Sequence, residues 1–194
     1  MFKKNRFSIT GLCLSALLAA SPTAWADEVS ATTGGKALIQ ITISSTTALN
    51  FGTMVSSTSS SNTATAFTIP AKAPSSYTAG SDYTVAGGDG YRLTSSTSTP
   101  GEISLIANDA EPVTLTLTNG GCSDTGLAFT TLTGTHPQAA GDVTLSAAAD
   151  GTSATTDITY ETGKTAIYIG GTVTVDANTN GESGCSYTVG AAYK

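Results

Sequence analysis

Val113-Thr114-Leu115-Thr116-Leu117-Thr118 is a strict alternation of apolar and hydroxyl side chains. A period of two places every apolar residue on one face of an extended chain, which is the pattern of a half-buried β-strand and not of a helix. The same rule holds on both sides of this stretch. Ala37, Ile39, Ile41 and Ile43 alternate with Leu38, Gln40 and Thr42. Ile167 and Ile169 flank Tyr168, and Val173 and Val175 flank Thr174. Cys185, Tyr187, Val189, Ala191 and Tyr193 alternate to the end of the chain. Further strands are predicted over residues 48–54, 66–69, 91–94, 102–107, 127–132, 143–147 and 156–160. Turn signals at Gly87-Gly88, Asn119-Gly120-Gly121, Asp150-Gly151 and Asn180-Gly181 separate them. Many short strands in one domain predict an all-β antiparallel sandwich. Residues 55–63, nearly all Ser and Thr, read as a solvated loop.

The chain opens with Lys3, Lys4 and Arg6, an apolar run and the small-residue triplet Ala24-Trp25-Ala26. These are the parts of a secretory signal peptide cleaved before Asp27, so residues 1–26 are set apart from the fold. The apolar run, broken by Ser8, Thr10, Gly11 and Ser15, is too short to span a bilayer, and no membrane insertion is expected after cleavage. Thr10-Gly11-Leu12 before Cys13 does not match a lipidation motif. The full chain carries a formal net charge of −6, and losing three basic residues with the signal makes the mature chain more acidic still. Such a surface repels nucleic acid and anionic membranes. Cys122 and Cys185 are then the two remaining cysteines, and export predicts that they pair. Their bridge closes a loop of roughly 60 residues, worth on the order of 4 kcal/mol.

Catalytic chemistry finds little to work with, and the chain is read as non-enzymatic with no cofactor. The one histidine, His136, lies in Gly134-Thr135-His136-Pro137, a turn-like stretch that predicts an exposed, idle imidazole. Asp109 with Glu111, and Asp142, Asp150 and Asp157, fall near predicted strand ends, where acidic residues need no catalytic explanation. Asp176, Asn178, Asn180 and Gly181 match the opening of a calcium loop, but the twelfth position is Tyr187 where the strongest ligand, a glutamate, belongs. Both flanks read as strands, so Asn180-Gly181 is expected to be a tight hairpin turn rather than a metal site.

From Ile167 onward the sequence IYIGGTVTVDANTNGESGCSYTVGAAYK resembles the C-terminal region of the bacterial secreted β-sandwich family catalogued as domain of unknown function 4402. The shared pattern is a strand, a Gly-Gly turn, a second strand, an Asn-containing turn and a closing strand that ends in tyrosine. Residues 48–54, Ala-Leu-Asn-Phe-Gly-Thr-Met, resemble that family's other recurrent piece. The family is similar to pilin subunits of the chaperone and usher route. The resemblance therefore implies an immunoglobulin-like sandwich completed by a strand from a neighbouring copy, in a head-to-tail filament at the cell surface. It further implies a periplasmic chaperone and an outer-membrane usher as partners during export. The tail that these would recognise comprises Gly181, Tyr187, Val189, Ala191 and Tyr193.

On this reading the chain divides into the signal at 1–26, an N-terminal extension at 27–45 and a sandwich domain at 46–194. The extension supplies the donor strand, with Gly34-Gly35 as hinge and Ala37, Ile39, Ile41 and Ile43 as inserting face. The same residues also fit an ordinary first strand paired inside its own domain. A different reading of the whole is a self-contained secreted binding module, for carbohydrate, built on Tyr77, Tyr83 and Tyr91.

Overall fold

The computed structural model describes residues 36–58, 63–180 and 184–194. Residues 1–26, read as a signal peptide, residues 27–35 of the extension with Gly34-Gly35, and Gly181 lie outside the described residues. Residues 38–194 form one compact unit, an all-β antiparallel sandwich with no α-helix among the described residues. Its strands are β1 (Thr42–Thr47), β2 (Met54–Val55), β3 (Thr65–Ile69), β4 (Thr84–Ala86), β5 (Tyr91–Arg92), β6 (Gly101–Ile106), β7 (Pro112–Cys122), β8 (Leu127–His136), β9 (Val143–Ala147), β10 (Ser153–Thr159), β11 (Ala166–Val175) and β12 (Cys185–Tyr193).

A seven-stranded sheet is built around β11, and a three-stranded sheet, ordered β10-β7-β12, packs on its face. One side of β11 carries β8 and then β9. The other is shared: β6 pairs with residues 166–169 and β3 with residues 171–175. The remaining edges there are β1 on β6 and β4 on β3, while β2 and β5 form a separate two-stranded ladder.

The alternation read in the sequence becomes the core. Val113, Leu115 and Leu117 of β7 share one buried core with Ile167, Ile169 and Val173 of β11, while Thr114, Thr116 and Thr118 stay partly exposed on the outer face. In β8 the inward parity changes from Phe129 to Leu132, because an extra residue near Thr130 shifts the register against β11. Such a bulge leaves one residue unpaired and exchanges the faces beyond it.

Several expectations are corrected. Gly170-Gly171 is not a turn but the middle of the continuous ten-residue β11. At Gly170 a Cβ would run into the main chain at Ile69, Pro70 and Ala71, so the chain leaving β3 needs glycine there in order to pass. Asn119-Gly120-Gly121 is likewise no turn. It is an irregular end of β7, where Asn119 is fully buried, donates to the Phe129 carbonyl and accepts from the Gly121 amide. Cys122 therefore lies on a strand. Residues 48–54 form no long strand, having only the bridge of Asn50 to Thr99 before β2 begins. The link from β11 to β12 crosses between the two sheets, so it is not a hairpin.

Candidate functional site

A two-layer sandwich has two flanks where the edges of its sheets face each other, and here they differ. On one flank β9 and β10 close the core: Leu145, Ala147, Ile158 and Tyr160 are all at least 96% buried. On the other, β1 is the edge of the large sheet and β12 the edge of the small one. Ile43 of β1, Ile41 just before it, and Tyr187, Val189, Ala191 and Tyr193 of β12 pack on the core but are only partly buried. Among the described residues this second flank is open.

The outer edge of β12 carries no ladder among the described residues. Its nine residues contain no charge and no proline, the devices by which proteins ordinarily protect an edge from a further strand. Beside it lies a groove of about 240 Å³, lined by Leu49, Phe51, Met54, Phe129, Val173 and Tyr187 among others. It adjoins a second groove of about 600 Å³ that shares Gly52, Met54 and Leu127 and extends to Val175 and Asn180. Residues 49–52 form its wall: Phe51 stands edge-on to Phe129 at 6.0 Å between ring centres, and the Asn50 side chain accepts the Gly52 amide at 2.8 Å. Gly52 has φ +71°, and a Cβ there would meet Ser96 and Thr97, so glycine is required. Burial pushes the Tyr187 hydroxyl above its ordinary range, opposed by its hydrogen bond with the Leu49 backbone.

The candidate donor residues fall into two pairs. Ala37 and Ile39 are exposed. Ile41 and Ile43 face the core of their own domain, where β1 pairs antiparallel with β6 from Thr42 opposite Ile106 to Thr47 opposite Glu102. Of the candidate tail, Tyr187, Val189, Ala191 and Tyr193 share the inward face of β12. Its partner is β7, and Cys185 stands in register with Cys122, to which it is disulfide-bonded. The Tyr193 hydroxyl accepts from the Asn108 amide at 2.8 Å and donates to the Ile39 carbonyl at 2.9 Å.

Other sequence candidates serve the fold. The Asp176 amide donates to the Gly126 carbonyl, and the Asn178 amide to the Ser57 carbonyl, with Asn178 at φ 60°. These bonds fix the loop after β11, and no cluster of three His, Cys, Asp or Glu side chains suited to a metal occurs among the described residues. The Asp109 carboxylate accepts from the Thr162 backbone amide, and Asp157 from Lys194 and Thr114. These bonds hold both below the usual carboxylate range, opposite to what a general acid requires. The three tyrosines do not share either groove. Tyr83 is buried, its hydroxyl pushed upward by burial, with Arg92 stacked 4.8 Å over its ring. Tyr77 is half-buried against Ser98, and Tyr91 is 55% exposed.

His136 is not exposed. It closes β8 with zero exposure, and among the described residues neither ring nitrogen has a well-aligned hydrogen-bond partner. Two residues after Gly134 and four after Leu132, it falls on the inward parity, a signal that the turn-like composition hid. Burial pushes the imidazole below its ordinary 6.5; the Lys164 backbone, Glu161 and Asp142 pull the other way, and the Lys164 ammonium adds to the depression. The unfolded chain therefore binds a proton before the folded one does, so stability is lost as the pH falls below 6.5. One such group can contribute a slope of at most about 1.4 kcal/mol per pH unit. With a single histidine in the chain, urea midpoints should fall between pH 6.5 and 5, above the carboxylate range. His136→Leu should remove that dependence; an unchanged slope in the variant would assign it elsewhere.

Comparison with family models, curated proteins and solved structures finds no match to this chain.

Proposed function

We propose that this chain is a structural, non-enzymatic subunit of a bacterial surface filament, assembled by β-strand addition between copies. The observation that carries the reading is the inequality of the two flanks: one is sealed by Leu145, Ala147, Ile158 and Tyr160, the other is open between β1 and an unprotected β12 edge. An extended segment received in this flank gains main-chain hydrogen bonds from a sheet edge and buries alternate side chains beside Tyr187, Val189 and Ala191. Ala37, Ile39, Ile41 and Ile43 have the alternation such a segment needs.

In the closed subunit β1 is an edge strand that one ladder, to β6, holds among the described residues. A terminal edge strand is suited to exchange, since a second copy can receive the contacts that the first gives up. A subunit that gives its strand forward and takes one from behind makes a heterologous contact, which propagates as a filament. The order of pieces that resembles domain of unknown function 4402, after a secretory signal, agrees with export by this route. The surface, chaperone and usher assignments rest on that resemblance.

The test is gel migration, in detergent and without boiling, of protein sheared from native cells and detected with a specific antibody. Strand-exchanged polymers give a ladder that collapses to one band on boiling. A lone monomer band would overturn the reading in favour of a self-contained secreted module.

A further inference from the structure

We infer that Ile39, Asn108 and Tyr193 form a latch that keeps the N-terminal strand on its own domain and sets the rate at which it is released to another copy, an inference that rests on the strand-exchange reading. Three hydrogen bonds close a ring. The Ile39 amide donates to the Asn108 side-chain oxygen at 3.1 Å. The Asn108 amide donates to the Tyr193 hydroxyl at 2.8 Å, and that hydroxyl donates to the Ile39 carbonyl at 2.9 Å. Both main-chain polar groups of Ile39 are thus engaged three residues before β1 begins, although the Ile39 side chain is 51% exposed. Packing does not hold this residue; the latch does.

The latch joins three distant parts of the chain: the start of the compact unit, the turn after β6 and the last residue of β12. Its C-terminal arm is itself restrained. The Lys194 amide donates to the Pro112 carbonyl at 3.1 Å, and the Lys194 ammonium pairs with Asp157. A strand that peels from β6 beginning at its N-terminal end must open the Ile39 bonds first, before the Thr42 to Ile106 register is disturbed. Since a donated strand can remake the same bonds on the acceptor's Asn108 and Tyr193, the latch governs the rate of exchange more than its final extent.

The substitution Tyr193→Phe keeps the half-buried ring and removes the hydroxyl from both bonds. Hydrogen bonds of this kind are each worth up to about tenfold in an equilibrium. In the purified monomer, amide exchange at Ile39 and through residues 41–43 should quicken about tenfold, while the β7 and β11 amides keep their protection. Concentrated Tyr193→Phe protein should then form the boiling-sensitive ladder about tenfold faster than the parent, to a similar extent. Asn108→Ala, which removes the third bond, should act in the same direction. Unchanged exchange at Ile39 in both variants would overturn the latch. Faster exchange with a ladder that forms at the parent's rate would also overturn it, leaving strand exchange intact. The absence of a ladder from every variant and from the parent would remove both the latch and the reading beneath it.

Discussion

Gly170→Ala should cost the domain about 3–4 kcal/mol, at the upper end of what overpacking does and a large share of a typical domain's 5–15 kcal/mol. One methyl group has this effect because of what it meets. Gly170 lies on the outward face of β11, between Tyr168 and Thr172, where its neighbour changes from β6 to β3. The chain leaving β3 passes directly over it, and an ideal Cβ would overlap the Ala71 nitrogen, the Ile69 carbonyl oxygen and the Pro70 carbonyl carbon. All three are main-chain atoms. Ile69 is fixed by its ladder with Gly171, and Pro70 has little torsional freedom, so neither can swing aside as a side chain would. Gly190→Ala in β12 is the matching control: its nearest neighbour would be the Thr116 Cβ at 3.8 Å, an ordinary contact, and the strand should gain up to about 1 kcal/mol from lower chain entropy. Urea unfolding of the two variants beside the parent decides the matter. A Gly170→Ala loss below about 1 kcal/mol would mean that the chain after β3 yields, and that the junction on β11 is soft.

Much of the fold is written in period-two alternation, and the reasons for the exceptions are local. Val113, Leu115 and Leu117 bury as their spacing requires, and so do Ile167, Ile169, Val173 and Val175. The glycines misled because composition reports what backbone a residue permits, not why glycine is there. Gly170 is a space requirement imposed by a chain crossing from elsewhere, and Gly121, at φ 76°, belongs to the irregular end of β7. Neither cause is present in the few residues around it. His136 could have been placed from parity with Leu132 and Gly134, but Pro137 and Gly134 weighed toward a turn. Residues 48–54 alternate like a strand, yet the Asn50 side chain takes the Gly52 amide and ends the ladder at one bridge.

The candidate site was legible in its residues but not in its geometry. Tyr187, Val189, Ala191 and Tyr193 share a face in any extended strand, and the sequence shows it. That this strand is an edge, and that the flank beside it stays open while the opposite one is sealed, depends on sheet order. Long-range pairing sets that order, as in β11 serving β3, β6 and β8 at once. The Tyr193 latch is further from view. Its three residues are separated by 69 and 85 positions, and no local pattern couples them.

Removing the disulfide should lower stability by about 3–4 kcal/mol and should loosen β12 before the rest of the sandwich. The global part follows from chain entropy: Cys122 and Cys185 are 63 residues apart, and a closed loop of that size restricts the unfolded chain by about 4 kcal/mol. The local part follows from position. Among the described residues β12 pairs with β7 alone, its inward residues are only partly buried, and the bridge ties its first residue to the last residue of β7. In the Cys122→Ser/Cys185→Ser protein, therefore, amides of β12 should exchange well ahead of those of β7 and β11, whereas the parent should protect all three together. The consequence reaches the other end of the chain, because a frayed β12 withdraws the Tyr193 hydroxyl from Ile39 and Asn108. The double variant should accordingly release its N-terminal strand faster than the parent even while β6, β7 and β11 remain folded. Loss of protection in β12 only in step with β7, at any denaturant concentration, would show that the bridge acts on the unfolded chain alone and that β12 does not open as a separate unit.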